Sequence, residues 1–179
     1  MTLGALLDAG ADLDFVVTTL NGLNIDGWAL STEKVDRNGI RATRAVVDAP
    51  EQHHHRHWKD IQSLLEQADL PDRVKTRSLI VFEVLAIAEG KVHGVSPEEV
   101  HFHEVGALDA IVDIVGSCAA LESLDIEQVA SAPIAVGIGT ISAAHGILPN
   151  PPPAVVNLLE DVPTVGVDVN LELTTPTGA

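Results

Sequence analysis

The sequence predicts an α+β fold in which helices pack on a small mixed sheet, with one β-hairpin near residues 28–47. Three observations carry that reading. Apolar residues recur at three- and four-residue intervals near the start, from 61 to 89 and from 108 to 124, which is the period of a helix with one buried face. Two runs with raised β-branched content flank Arg37-Asn38-Gly39, and Asn-Gly between such runs is the strongest short-range hairpin signal. Gly and Pro are then concentrated between 137 and 153, where a long loop is expected.

In order along the chain, Leu3, Leu6 and Leu7 ahead of Ala9-Gly10 predict a short helix. Leu13, Val16, Val17 and Leu20 predict a second, ending at Asn21-Gly22. After the hairpin, Ile61, Leu64, Leu65 and Ala68 mark a helix that stops before Pro71, and a longer one runs from Asp72 to Glu89, where Gly90 is expected to end it. Ser96-Pro97-Glu98-Glu99 combines a cap, a proline at the first helical position and a glutamate three residues after the cap, so a turn of helix starts there. Leu108 to Leu124 is apolar around most of its circumference and is expected to be buried. Gln128 to Val136 reads as a strand, Ala154 to Leu159 as a short helix and Thr164 to Leu173 as an alternating strand.

With 179 residues the chain is one domain by default. Hydrophobic residues form 46% of it, yet it has three Phe, two Trp and no Tyr, so Leu, Ile, Val and Ala must fill the core. Acidic residues outnumber basic ones 26 to 10, for a net charge of -16. Such a surface repels phosphate backbones and lacks stacking platforms, which argues against a nucleic-acid partner. It also concentrates cations. Cys118 is the only cysteine, so neither an intrachain disulfide nor a thiolate zinc cluster can form, and a reducing cytoplasm fits. Met1 to Ala11 lacks a basic leader, and nowhere do eighteen apolar residues run together, so no membrane span is expected. The chain begins in a helical pattern without a cap and ends where a turn would feed another element, as a fragment or one product of a divided reading frame would.

The densest constellation of reactive side chains is HFHEVGALDAIVDIVG, residues 101–116. His101 and His103 lie two apart, which shares a face in extended chain; Asp109 and Asp113 lie four apart, which shares one on a helix. With Glu104 they can converge on one pocket, where nitrogen and oxygen donors suit nickel, zinc, manganese or iron. The stripe Asp109, Asp113, Gly116, Ser117, Ala120 looks like a pocket wall. The alternative is that Asp109 opens a helix, where a carboxylate meets the positive end of the dipole, and Asp113 faces water. A second cluster, His53-His54-His55-Arg56-His57, lies in a loop beside Glu51 and Asp60. Histidine-rich tracts bind borderline divalent metals, or form polar loops that bind them adventitiously. His145 stands in the Gly/Pro loop, as a lid or as structural loop. Thr174, Thr175, Thr177 and Gly178 form a hydroxyl-rich turn at a strand end, a place where phosphate can be held although no P-loop is present. His93 reads as a helix-end residue favoured by the dipole, and Cys118 as core.

HFHEVGALDAIVDIVG, together with HHHRHWKDI, HGILPNPPPA and ELTTPTGA in that order, resembles the LarC family of nickel insertion proteins. The resemblance covers residues 1–179 as an amino-terminal domain, without the short first strand and the carboxy-terminal region that family members usually carry. It implies nickel insertion into pyridinium-3,5-bisthiocarboxylic acid mononucleotide, the precursor of the nickel-pincer cofactor of lactate racemase. It further implies a CTP-dependent lyase that uses manganese or magnesium, with the nucleotide chemistry in the carboxy-terminal part of the same protein, so that this chain alone would be inactive. Residue by residue, His53, His54, His55 and His57 would deliver nickel, and His101, His103, Asp109 and Asp113 would hold it. Glu104 or His103 would act as the base, and His145, Thr174, Thr175, Thr177 and Gly178 would meet the substrate. A binding-only metallochaperone and a metal-dependent hydrolase remain open as other classes, as does a homo-oligomer.

Overall fold

A computed structural model describes residues 1–49, 56–102, 107–143 and 145–179. Six α-helices and eight short strands lie among these residues: α1 (Thr2–Asp8), α2 (Leu13–Asn21), β1 (Ala29–Arg37), β2 (Ile40–Asp48), β3 (Arg56–His57), α3 (Trp58–Gln67), α4 (Asp72–His93), β4 (His101–Phe102), α5 (Leu108–Ser123), β5 (Ile134–Val136), β6 (Thr140–Ala143), β7 (Gly146–Pro149), α6 (Pro153–Leu158) and β8 (Thr164–Gly166). Single 3-10 turns cover Pro97–Glu99 and Pro176–Gly178. The class is α+β. The described strands pair two by two, as β1-β2, β3-β4, β5-β8 and β6-β7, and only β5-β8 is parallel. Mixed pairing is therefore distributed over separate ladders rather than gathered into one sheet.

The expected hairpin forms around Asn38 and Gly39, both at positive φ (54° and 82°), which a two-residue turn joining right-twisted strands requires. Asp12 caps α2, its carboxylate accepting from the Asp14 and Phe15 amides at 2.9 and 3.2 Å. Buried α5 is the axis of the core, where Ile111, Val112 and Val115 meet Leu3, Leu20, Ile61, Leu65 and Phe82 from the surrounding helices. The small-residue stripe of α5 is filled from α1 and α2: a Cβ at Gly116 would lie 3.2 Å from Leu3 Cδ2 and 3.6 Å from Leu20 Cδ1. There it is a helix crossing and not the pocket wall expected from sequence.

Three other expectations need correction. Helix α4 does not stop at Gly90 but continues to His93 and ends at Gly94, whose φ of 68° is the left-handed C-terminal geometry. Gly90 serves close approach, since a Cβ there would lie 2.9 Å from the Val95 carbonyl oxygen. The Gly/Pro segment contains the hairpin β6-β7, with Ile141 opposite Leu148. Finally, the strands expected at 128–136 and 164–173 shrink to β5 and β8. Beyond β8 the chain is held by single bonds, such as Ile138 N–H to the Val169 carbonyl at 2.9 Å. Asn150 fastens this part by donating to the Ile138 and Leu171 carbonyls at 3.1 and 2.7 Å.

Candidate functional site

Two imidazole pairs come together. The first joins the two histidine-bearing motifs: His57 stands opposite His101 in the β3-β4 ladder, with ring centroids 3.5 Å apart and planes tilted by 52°. Local bonds set this geometry. His57 is the cap of α3, its amide donating to Asp60 Oδ2 at 3.0 Å, and the next amide, Trp58 N–H, donates to the Val100 carbonyl at 3.3 Å. Val100 and Phe102 are buried on either side of exposed His101, the alternation an extended segment imposes. The pair therefore faces outward while its backbone is anchored in the core.

The second pair sits across an open cleft of about 170 Å³ between the end of α4, the β6-β7 hairpin and the start of α6. His93 and His145 have ring centroids 5.0 Å apart at 54°, and Glu89, one helical turn before His93, places Oε2 3.5 Å from its Nε2. Glu172 also lines the cleft, while Phe102, Leu148, Pro152 and Pro176 supply apolar wall. Asn157 of α6 holds this side to α4 by donating to the Ala88 carbonyl at 3.1 Å, reinforced by Lys91 to Glu160 at 2.8 Å. Sequence reading gave His93 only a dipole role and passed over Glu89 and Glu172. The i,i+4 spacing of Glu89 and His93 was a visible signal, but their partner His145 is 52 residues away from His93.

The remaining candidates fall as follows. Asp109 is exposed and accepts from the Ala110 amide at 2.8 Å, a start-of-helix role. Asp113 is half-buried; burial raises its carboxyl above the ordinary range, the Met1 amino group pulls it partly back, and Asp109 raises it further. Thr174 donates to the Ala135 carbonyl at 2.8 Å and so ties the C-terminal segment to β5, while the Thr175 and Thr177 hydroxyls lie 3.3 Å apart and the Gly178 amide bonds the Thr175 carbonyl. Buried Cys118 packs in the core, as expected, and burial pushes its thiol up against the opposing influence of Ser78 and Arg77. His53, His54, His55, His103 and Glu104 lie outside the described residues. Among the described residues no group of three or more His, Cys, Asp or Glu side chains converges as a metal site, and no helix is long and apolar enough to cross a membrane.

Chemically, each pair offers two nitrogen donors, half of a closed tetrahedral set. A family model described as nickel insertion protein matches residues 1–179. The chain is 49% identical over its whole length to the pyridinium-3,5-bisthiocarboxylic acid mononucleotide nickel insertion protein of Staphylococcus saprophyticus, covering 46% of that protein. It is 50% identical to the protein of the same name from Desulfitobacterium hafniense and 46% identical to that of Staphylococcus epidermidis, again over all of this chain and covering 44% and 45% of theirs. The chain thus spans a little under half the length of these relatives. No solved structure matches it significantly.

Proposed function

Because the chain belongs to the nickel insertion protein family, we propose that it is the nickel-handling portion of a protein that inserts nickel into pyridinium-3,5-bisthiocarboxylic acid mononucleotide. The observation that supports this best is the His57-His101 pair, in which one histidine from each of the two motifs meets the other on an outward face. Neutral imidazole is a ligand for borderline divalent ions near neutral pH. Nickel is cargo here and must be released, so an incomplete donor set suits the task better than a closed four-ligand site. On this reading His53, His54, His55 and His57 collect the ion, and His101 and His103 hold it for transfer.

The thiocarboxylates of the substrate take over as sulfur donors. Formation of a nickel-carbon bond then uses the electron pair of a ring C–H bond, nickel stays divalent, and the proton leaves to a base, for which His103 or Glu104 is the candidate. His145, Thr175, Thr177 and Gly178 belong to the substrate side, with Thr174 positioning their turn through its bond to Ala135. CTP and manganese or magnesium act in the C-terminal part of the same protein, in the cytoplasm, and this portion alone releases no CMP from CTP.

Calorimetric titration of nickel into the complete protein carrying this sequence tests the reading. Replacing His57 and His101 together by Ala is expected to weaken nickel binding by at least about tenfold, or about 1.4 kcal/mol. Unchanged affinity and stoichiometry would remove the ladder from nickel handling.

A further inference from the structure

We infer that the cleft holding His93 and His145 is the seat of the substrate's pyridinium ring; the identity of the ring rests on the nickel-insertion reading above. Size is the first argument. At about 170 Å³ the cleft is close to the roughly 150 Å³ cavity that accepts benzene, and well below the about 300–1,000 Å³ that encloses whole drug-sized ligands. It has room for one six-membered ring, leaving the ring's arms at the open mouth and the ribose and phosphate outside.

Charge is the second argument. The ring is a cation that carries two anionic arms in the 3 and 5 positions, and the cleft offers both complements. Glu89 and Glu172 supply negative charge for the ring, and the Phe102 and Leu148 side chains supply apolar wall for its face, an arrangement that aromatic cations favour. His93 and His145 stand 5.0 Å apart; with His93 Nε2 turned to Glu89, an imidazole N–H of His145 can donate to a thiocarboxylate.

Position is the third. Phe102 lines the cleft, and the residue before it is His101 of the outward pair. Successive residues of a strand point to opposite faces, so one two-residue strand separates the ring seat from the imidazoles proposed to hold nickel. The two places are therefore neighbours on one strand, on its opposite faces.

The test uses the complete protein with 13C-labelled histidine, free of nickel, titrated with 1-methylpyridinium-3,5-dicarboxylate and followed through the imidazole resonances. The resonances of His93 and His145, assigned by their loss in His93→Gln and His145→Gln, are expected to shift saturably while that of His57 stays in place. Glu172→Gln is expected to weaken the probe by several-fold with the His57 signal unmoved, which shows the variant folded. Silence at His93 and His145, or an equal response to uncharged-ring benzene-1,3-dicarboxylate, would overturn the assignment, as would full affinity in Glu172→Gln. A nickel titration read at His57 and His101 is independent, so failure of the nickel reading and failure of the ring seat give different spectra.

Discussion

His57 and His101 face each other across a two-residue ladder at 3.5 Å, whereas His93 and His145 stand 5.0 Å apart across an open cleft between a helix end and a hairpin. The first pair is fixed by backbone bonds and a helix cap within the helical core. The second depends on how the Gly/Pro-rich segment docks on α4, through Asn157 and Lys91. A pair built into a ladder holds its geometry as long as the core is folded. A pair spanning two docked parts keeps its geometry only while they stay docked.

Phe102 is the element common to both, since its backbone pairs with Arg56 in the ladder and its ring lines the cleft and meets Phe82 edge-on at 6.4 Å. Phe102→Ala is expected to have the largest effect, costing about 3–5 kcal/mol in urea-unfolding free energy. It should also disturb both imidazole pairs together. A loss confined to one pair would mean that the two are not mechanically joined through this strand.

Asn157→Ala sharpens the contrast by touching one side alone. Removing its bond to the Ala88 carbonyl is expected to cost about 1 kcal/mol and to shift the His145 imidazole resonance while leaving that of His57 unchanged. Equal shifts at both would show that docking of α6 also sets the ladder.

The smallest effect on stability is expected at Asp113, which lies on α5 away from the cleft lining. Burial raises its folded-state carboxyl above the ordinary value, so ionisation is harder in the folded than in the unfolded chain. The resulting penalty is absent below the unfolded-state pKa, grows as pH rises toward the folded-state value, and is complete above it. Asp113→Asn is therefore expected to be slightly more stable than the wild type at neutral pH and to lose that advantage in acid, as unfolding curves across pH would reveal. If Asp113 also holds nickel, the same variant inserts nickel poorly despite its stability, and normal insertion would confine Asp113 to the α5 surface.

The sequence by itself determined the local elements whose causes are local. Asn38-Gly39 fixed a hairpin because two consecutive residues at positive φ admit few other turns, and the periodic leucines of α1, α2 and α3 fixed helices because one face had to be buried. It also marked His57 and His101 as candidate site residues, since both stand in dense clusters. Tertiary structure decided the rest. Gly90 looked like a helix stop but is a contact point, because the Val95 carbonyl that requires it returns only after the chain turns at Gly94. The small stripe of α5 looked like a pocket wall but receives Leu3 and Leu20, which the spacing of α5 alone does not announce. Above all, the cleft was invisible along the chain: Glu89, His93, His145 and Glu172 are separated by up to 83 positions. No single one of them lies in a dense cluster, and only the docking of the C-terminal segment on α4 gives them a common space.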